Sequence, residues 1–318
     1  MISKIRSALF GLAIGDALGV PVEFKSRENL QRHPITGMTG YGSWNQPVGT
    51  FSDDSSLAFC LAESLVKGYS LDDMAQHFIN WKQQGYWGAH HKVFDIGGAT
   101  RFAIDRLIKG CPPLVSGGML EEDNGNGALM RIMPLLFFIK DLPVEERYRK
   151  IKEVSAMTHG HFRSVFSCFI YLEFALQLLN NNIMPVAYAH MQEVVSSFAA
   201  EKEFNPTETA LFGRILTGHI KDEEERAIQS GGYVLHTLEA SFWCLLNTRN
   251  YADAVLKAVN LGGDTDTTAC VTGGLAGLLY GYEDIPKGWR TKIARREDID
   301  DLCTRLVQQM ENENGKRS

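Results

Sequence analysis

The sequence has no C-x-x-C pair, no Pro/Ser-rich linker, no excess of positive charge and almost no period-two alternation of apolar residues. Each absence removes a class of protein. Six cysteines (Cys60, Cys111, Cys168, Cys244, Cys270, Cys303) are scattered without ligand or redox spacing, so neither a zinc site nor a thiol-exchange motif is expected. A chain of 318 residues needs no disulfide staples, and the thiols read as reduced, in a cytoplasmic protein. Lys and Arg number 32 against 38 Asp and Glu, a net charge of −6. Nucleic-acid surfaces work by counterion release from clustered Lys and Arg, so no nucleic-acid partner is expected. An anionic small molecule is still admissible, because metal ions or helix N-termini can hold one. Without a linker, a composition shift or a fixed-period repeat, one domain is expected over residues 1–311, with a polar tail at 312–318.

Long apolar runs are also scarce. The start, MISKIRSALFGLAIGDALG, sets Lys4 and Arg6 before an apolar stretch, the outline of a secretory signal. That stretch is short, carries two glycines and is closed by Asp16, so the signal reading is set aside. No stretch elsewhere approaches the roughly 20 apolar residues of a membrane span, and no membrane partner is expected.

What is present is a core. Apolar residues make up 44% of the chain and charged residues 22%, enough to bury a sizeable interior. Leu57, Leu61 and Leu65 recur at helical spacing with Gly68 at the stop position, and Ser70 with Asp73 opens a helix ending near Gly85. Further helical stretches lie near 100–109, 128–139, 144–157, 161–180, 185–199, 206–216, 232–246, 251–259, 267–280 and 297–311. The fold class is all-α. The 30 glycines gather in loops.

Two acidic clusters stand at the starts of apolar helices: Ser52-Asp53-Asp54 and Asp264-Thr265-Asp266-Thr267. Helix capping explains either one alone, since Ser, Thr and Asp are preferred there. Capping needs only one acid, and adjacent carboxylates repel unless something positive lies between them. Four carboxylates with hydroxyls form an all-oxygen set suited to Mg²⁺, Mn²⁺ or Ca²⁺, provided the fold joins the clusters. An EF-hand fails on the second cluster, because Ala269 and Leu275 fall where Gly and Glu are required. The segment Asp123-Asn124-Gly125-Asn126-Gly127 allows close backbone approach, and a helix starting near Ala128 would aim N–H groups at a ligand. Thr158-His159-Gly160-His161 offers ligands or general acids, or equally a helix end followed by a cap. Gly11, Gly15 and Gly19 make a face where another helix packs closely, and Asp16 and Glu23 require a hydrogen bond or a cation in their apolar company.

The motifs GLAIGDALGVPVEF, GTFSDDSSLAFCLAESL, NGNGALMRIMPL, THGH, GGYVLHTLEASFWCLL and NLGGDTDTTACVTGGLAGLLYG, in this order, resemble the ADP-ribosylglycohydrolases from about Leu9 to Gly281. The group includes the dinitrogenase reductase-activating glycohydrolase and the ADP-ribosyl-arginine and ADP-ribosyl-serine hydrolases. The resemblance implies an all-α fold whose cleft holds two Mg²⁺ (or Mn²⁺). It implies metal ligands at Ser52, Asp53, Asp54, Asp264, Asp266 and Thr267, with Ser52 replacing the family's usual Thr. Glu23 matches a ligand or catalytic base of some members. Asn126 and Gly127 match the loop that wraps ADP-ribose, His159 and Tyr233 are further substrate-binding candidates, and Asp123 matches an acid near the arginine-linked end of the substrate.

The implied reaction is hydrolysis of the N-glycosidic bond between ADP-ribose and an arginine guanidinium, through an oxocarbenium-like state. Asp53, Asp54 or Glu23 would take the proton of the attacking water, and Asp123 would hold the leaving guanidine. ADP-ribosyl-serine and O-acetyl-ADP-ribose are alternative substrates. A metal-dependent phosphoester hydrolase would use the same ions beside the phosphates. A non-catalytic member of the fold would be marked by a degraded acidic element, and here both elements are intact.

Overall fold

The computed structural model describes residues 1–218 and 220–317, with side chains through Asn312. Among these residues the regular structure is helical: α1 (Ile2–Gly19), α2 (Arg27–Arg32), α3 (Asp53–Leu65), α4 (Leu71–Gln84), α5 (Gly98–Ile108), α6 (Leu135–Ile139), α7 (Val144–Ala156), α8 (Phe162–Leu179), α9 (Met184–Glu201), α10 (Pro206–Ala210), α11 (Gly213–Leu216), α12 (Val234–Leu246), α13 (Tyr251–Asn260), α14 (Thr265–Tyr280), α15 (Lys287–Arg290) and α16 (Arg296–Arg317). Extended pairing is confined to isolated bridges. The six cysteines are free.

Two helices without a polar face hold the centre. Helix α1 is buried from Ser7 to Gly19, and α14 from Thr265 to Leu278. A helix apolar all round has no solvent side, so each is enclosed by the others. They run antiparallel and closer than side chains normally permit. A Cβ added at Gly11 would lie 2.3 Å from the Gly273 carbonyl oxygen, one at Gly15 2.1 Å from that of Ala269, and one at Gly19 2.3 Å from Asp266 Cα. The glycine face of α1 therefore packs against α14, whose own Gly273 and Gly277 complete the contact. Successive four-residue steps along α1 meet steps of four and then three residues back along α14. This register brings the C-terminal end of α1 beside the N-terminal end of α14.

Three expectations need correction. Residues 128–133 form turns instead of a helix, and α6 begins only after Pro134, whose ring and missing N–H interrupt the ladder. The 206–216 stretch divides into α10 and α11 before Gly213. Ile2–Val22 and Phe162–Leu179 are, by length and composition, apolar enough to cross a bilayer, with 94% and 83% of their apolar windows buried inside the protein. A helix of the protein core has the same composition as a span, so composition alone did not separate them. At the other end, α16 continues through Arg317, into the segment read as a tail.

Candidate active site

Asp16, in the last turn of α1, fixes the start of α3. Its carboxylate accepts from the Ser52 N–H at 2.9 Å, the Ser55 N–H at 3.1 Å and the Ser55 hydroxyl at 2.5 Å. The partner expected for this acid is thus a helix N-terminus, where free N–H groups and the dipole both favour an anion. Ser52 caps α3 itself: its hydroxyl accepts from the Asp54 N–H at 3.3 Å and donates to Asp54 Oδ2 at 2.7 Å. Thr267 on α14 donates to the same oxygen at 3.4 Å. The two acidic clusters, 213 residues apart at this contact, therefore meet.

One carboxylate oxygen from each of Asp16, Asp54 and Asp266 lies within 4.8 Å of the others, and the same holds for Glu23, Asp95 and Asp266. Asp266 belongs to both groups. Asp54 Oδ1 and Asp266 Oδ2 are buried with no hydrogen-bond partner. A buried carboxylate oxygen without a donor is costly, and a divalent cation supplies what is missing. The donor set is all oxygen, which suits hard ions, so the residues present fit a metal pair.

The acidity of these groups shows the same strain. Burial, then repulsion from Asp95, Asp16 and Glu23, pushes the Asp53 carboxyl well above its ordinary range. Burial with the neighbouring acids does the same to Asp54 and Asp266. Glu23 is pushed up to about 8 by burial and by Asp95, although the Trp44 indole N–H donates to it. Burial takes Asp16 and Asp95 to about 6, with Asp264 repelling the latter. Positive charge between these carboxylates would restore their ionised forms.

Above the acids lies a cavity of about 390 Å³, lined by Glu23, Asp53, Asp95, Asn126, His159 and Thr267 among others. Its walls are loops joined by single strand-like hydrogen bonds. The Phe24 N–H donates to the Gly263 carbonyl at 2.7 Å, the Asp264 N–H to Ser230 at 2.8 Å, and the Asn126 N–H to Gly232 at 3.0 Å. The Asn126 amide donates to Asp264 Oδ2 at 2.8 Å and to Thr237 Oγ1 at 2.9 Å, tying the glycine-rich loop to the second acidic cluster. Gly127 has no room for a side chain, since a Cβ would lie 2.7 Å from both the His159 ring and the Thr100 hydroxyl. From below, the buried Arg131 guanidinium donates to the Gly127 carbonyl and, at 3.0 Å, to that of Val154. Turns at residues 128–133, in place of the expected helix, make this buttress.

His159 pairs with the Thr158 hydroxyl at 2.8 Å, and burial, helped by Arg131, lowers its pKa to about 3. At neutral pH it is an uncharged hydrogen-bonding wall and no general acid. His161 is a cap, accepting from the Arg163 N–H at 3.3 Å.

Of the residues picked out from sequence, Glu23, Asp53, Asn126, Gly127, His159, Asp264 and Thr267 line the cavity. Ser52, Asp54 and Asp266 are buried beside it. Asp123 and Tyr233 are not among the lining residues. The Asp123 carboxylate accepts from the Leu120 N–H at 2.9 Å, and Tyr233 opens α12 with its ring edge-on to His236. Asp123→Asn is accordingly expected to leave kcat/KM within about threefold of wild type, since a surface turn carries the change. A loss of a hundredfold or more would return Asp123 to the reaction. The acid that does reach the cavity is Asp95, with Ile96, Gly97 and Gly98, just before α5. Sequence reading missed it; the only signal was a lone acid followed by paired glycines at a helix start.

The family model for ADP-ribosylglycohydrolase matches residues 1–315, and the chain belongs to that family of glycosidases. An ADP-ribosylarginine hydrolase, Tri1, of Serratia proteamaculans is 34% identical over 310 residues, covering 96% of this chain and 79% of that one. The ADP-ribosyl-[dinitrogen reductase] glycohydrolase of Rhodospirillum rubrum is 28% identical, covering 91% and 90%. A solved ADP-ribosylglycohydrolase-related protein complex superposes with a TM-score of 0.81 at 28% identity, covering 97% of this chain.

Proposed function

We propose that this enzyme hydrolyses the N-glycosidic bond between ADP-ribose and an arginine guanidinium, in a reaction that depends on Mg²⁺ or Mn²⁺. The observation that carries this reading is the pair of orphaned carboxylate oxygens, Asp54 Oδ1 and Asp266 Oδ2, buried beside an acid-lined cavity. Relatives named for arginine-linked and dinitrogen reductase-linked ADP-ribose support the substrate.

Asp54, Asp266, Asp16, Glu23 and Asp95 would hold the ions. When bound, two divalent cations would supply Lewis acidity and fixed positive charge to the reaction. The chain does the rest. Asn126, held by Asp264 and Thr237, orients the ribose, and the backbone of Gly97, Gly98 and Gly127 admits the phosphates closely. Asp53 faces the cavity and takes the proton of the attacking water as its oxygen bonds to C1″. The C1″–N bond breaks with its electron pair on the guanidine, which then receives that proton and leaves as guanidinium.

The test is release of free ADP-ribose from three substrates side by side: an arginine-ADP-ribosylated protein, a serine-ADP-ribosylated peptide and O-acetyl-ADP-ribose. The arginine linkage is expected to be cleaved fastest. Preference for serine or for the acetyl ester by the folded, metal-loaded enzyme would transfer the assignment to that substrate.

A further inference from the structure

Phe24 in the cavity wall is followed by two neighbouring rings, Trp44 and Phe94, and no step above uses them. Phe24 lines the cavity and is 71% exposed, a costly position for a large apolar ring. Its φ is +66°, in the left-handed region that bulky residues seldom occupy, and its N–H bond to Gly263 holds it there. Trp44 lies edge-on to Phe24 at 6.1 Å between centroids, and Phe94 lies 5.6 Å from Trp44. Phe24 follows Glu23 and Phe94 precedes Asp95, while Trp44 donates to Glu23. The rings thus run beside Glu23 and Asp95, two of the three carboxylates that lie outside the paired acidic clusters.

We infer that Phe24, backed by Trp44 and Phe94, is the stacking platform for the acceptor guanidinium and so sets selectivity for an arginine linkage. The inference rests on the arginine reading above and assigns the acceptor side of that site. Charge decides the occupant. Asp16, Glu23, Asp53, Asp54, Asp95, Asp264 and Asp266 carry seven carboxyl groups, more than two divalent ions neutralise. A cation is favoured beside such a surplus. Carboxylates engaged by metal have little left to offer a guanidinium, but a ring face binds its flat surface without them. A serine acceptor is uncharged and gains nothing from that face.

The experiment compares wild type with Phe24→Ala, Phe24→Leu and Phe24→Tyr in the metal-loaded enzyme. It measures KM and kcat on arginine- and serine-linked ADP-ribose, and the affinity for ADP-ribose alone. It also measures binding of agmatine, as a free guanidine, to the ADP-ribose-saturated protein. Phe24→Ala and Phe24→Leu are expected to lower kcat/KM for the arginine linkage roughly tenfold, mainly through KM, with Phe24→Tyr close to wild type. Agmatine binding should fall in parallel, while serine-linked turnover and ADP-ribose affinity stay within about twofold. Full activity in Phe24→Leu would show that the ring only packs, and a matching loss of ADP-ribose affinity would show that it serves the nucleotide. Either overturns the inference. If wild type releases nothing from arginine, the parent reading fails, and agmatine binding then decides the platform by itself: lost in Phe24→Ala it stands, unchanged it falls.

Discussion

Asp266→Asn is expected to lower kcat for ADP-ribose release on the order of a thousandfold, because the residue removed belongs to both of the close carboxylate groups beside the cavity. Asp54→Asn should behave alike. Loss of a structural acid and loss of a metal site separate in the stability of the metal-free protein. Glu23 titrates near 8 and Asp16 and Asp95 near 6, all above the carboxyl range of an unfolded chain. The folded state therefore binds more protons than the unfolded one, and stability must fall as pH rises through that window. After chelation, the wild-type melting temperature is expected to drop between about pH 5 and about pH 8, and added Mg²⁺ or Mn²⁺ should reverse the drop. Asp266→Asn removes a buried like charge, so its metal-free form should melt above metal-free wild type at the higher pH and respond less to metal. Thermal melts with and without chelator at both pH values check this. A variant that is less stable than wild type in every condition would mark Asp266 as a structural residue.

Gly15→Ala is the second large effect, and it is expected far from any ligand. The new methyl would lie 2.1 Å from the Ala269 carbonyl oxygen, and the neighbour is backbone, so one helix must move. Overpacking of this kind costs about 3 kcal/mol, a large share of a domain's net stability. The same displacement reaches Asp266, one turn from Ala269 on α14, so kcat should fall about a hundredfold even where the protein remains folded. Gly288→Ala, with no atom within 4 Å of the added methyl, is the control and should be neutral or slightly stabilising. Denaturant melts of both variants, with kinetics on the folded fraction, measure the two effects. An unaltered melt for Gly15→Ala would mean that α1 and α14 are not so closely packed.

The difference between these two predictions reflects what the sequence does and does not display. Helices with a cap and an apolar period, such as α4 with Ser70 and Gly85, are legible because the signals are local. The glycine face of α1 is legible for the same reason. Its partner face at Gly273 and Gly277 is not, since nothing local says which helix it meets. Ser52–Asp54 and Asp264–Thr267 declare their chemistry by residue type. Their meeting depends on the α1–α14 register and on Asp16 holding the start of α3, both long-range facts. Residues 128–133 mislead because their apolar spacing belongs to a buried turn around Arg131, whose guanidinium donates to the carbonyls of Gly127 and Val154. Asp95 shows only a lone acid before paired glycines, and tertiary structure alone brings it to Glu23 and Asp266.

The most direct test is a single-turnover assay of ADP-ribose release from an arginine-ADP-ribosylated protein, run before chelation, after chelation, and on back-titration with Mg²⁺ and with Mn²⁺. Release should be lost with the metal, return with it in wild type, and stay absent in Asp54→Asn and Asp266→Asn. Undiminished release from the chelated enzyme, or full activity in either variant, would contradict a reaction centred on the joined acidic clusters.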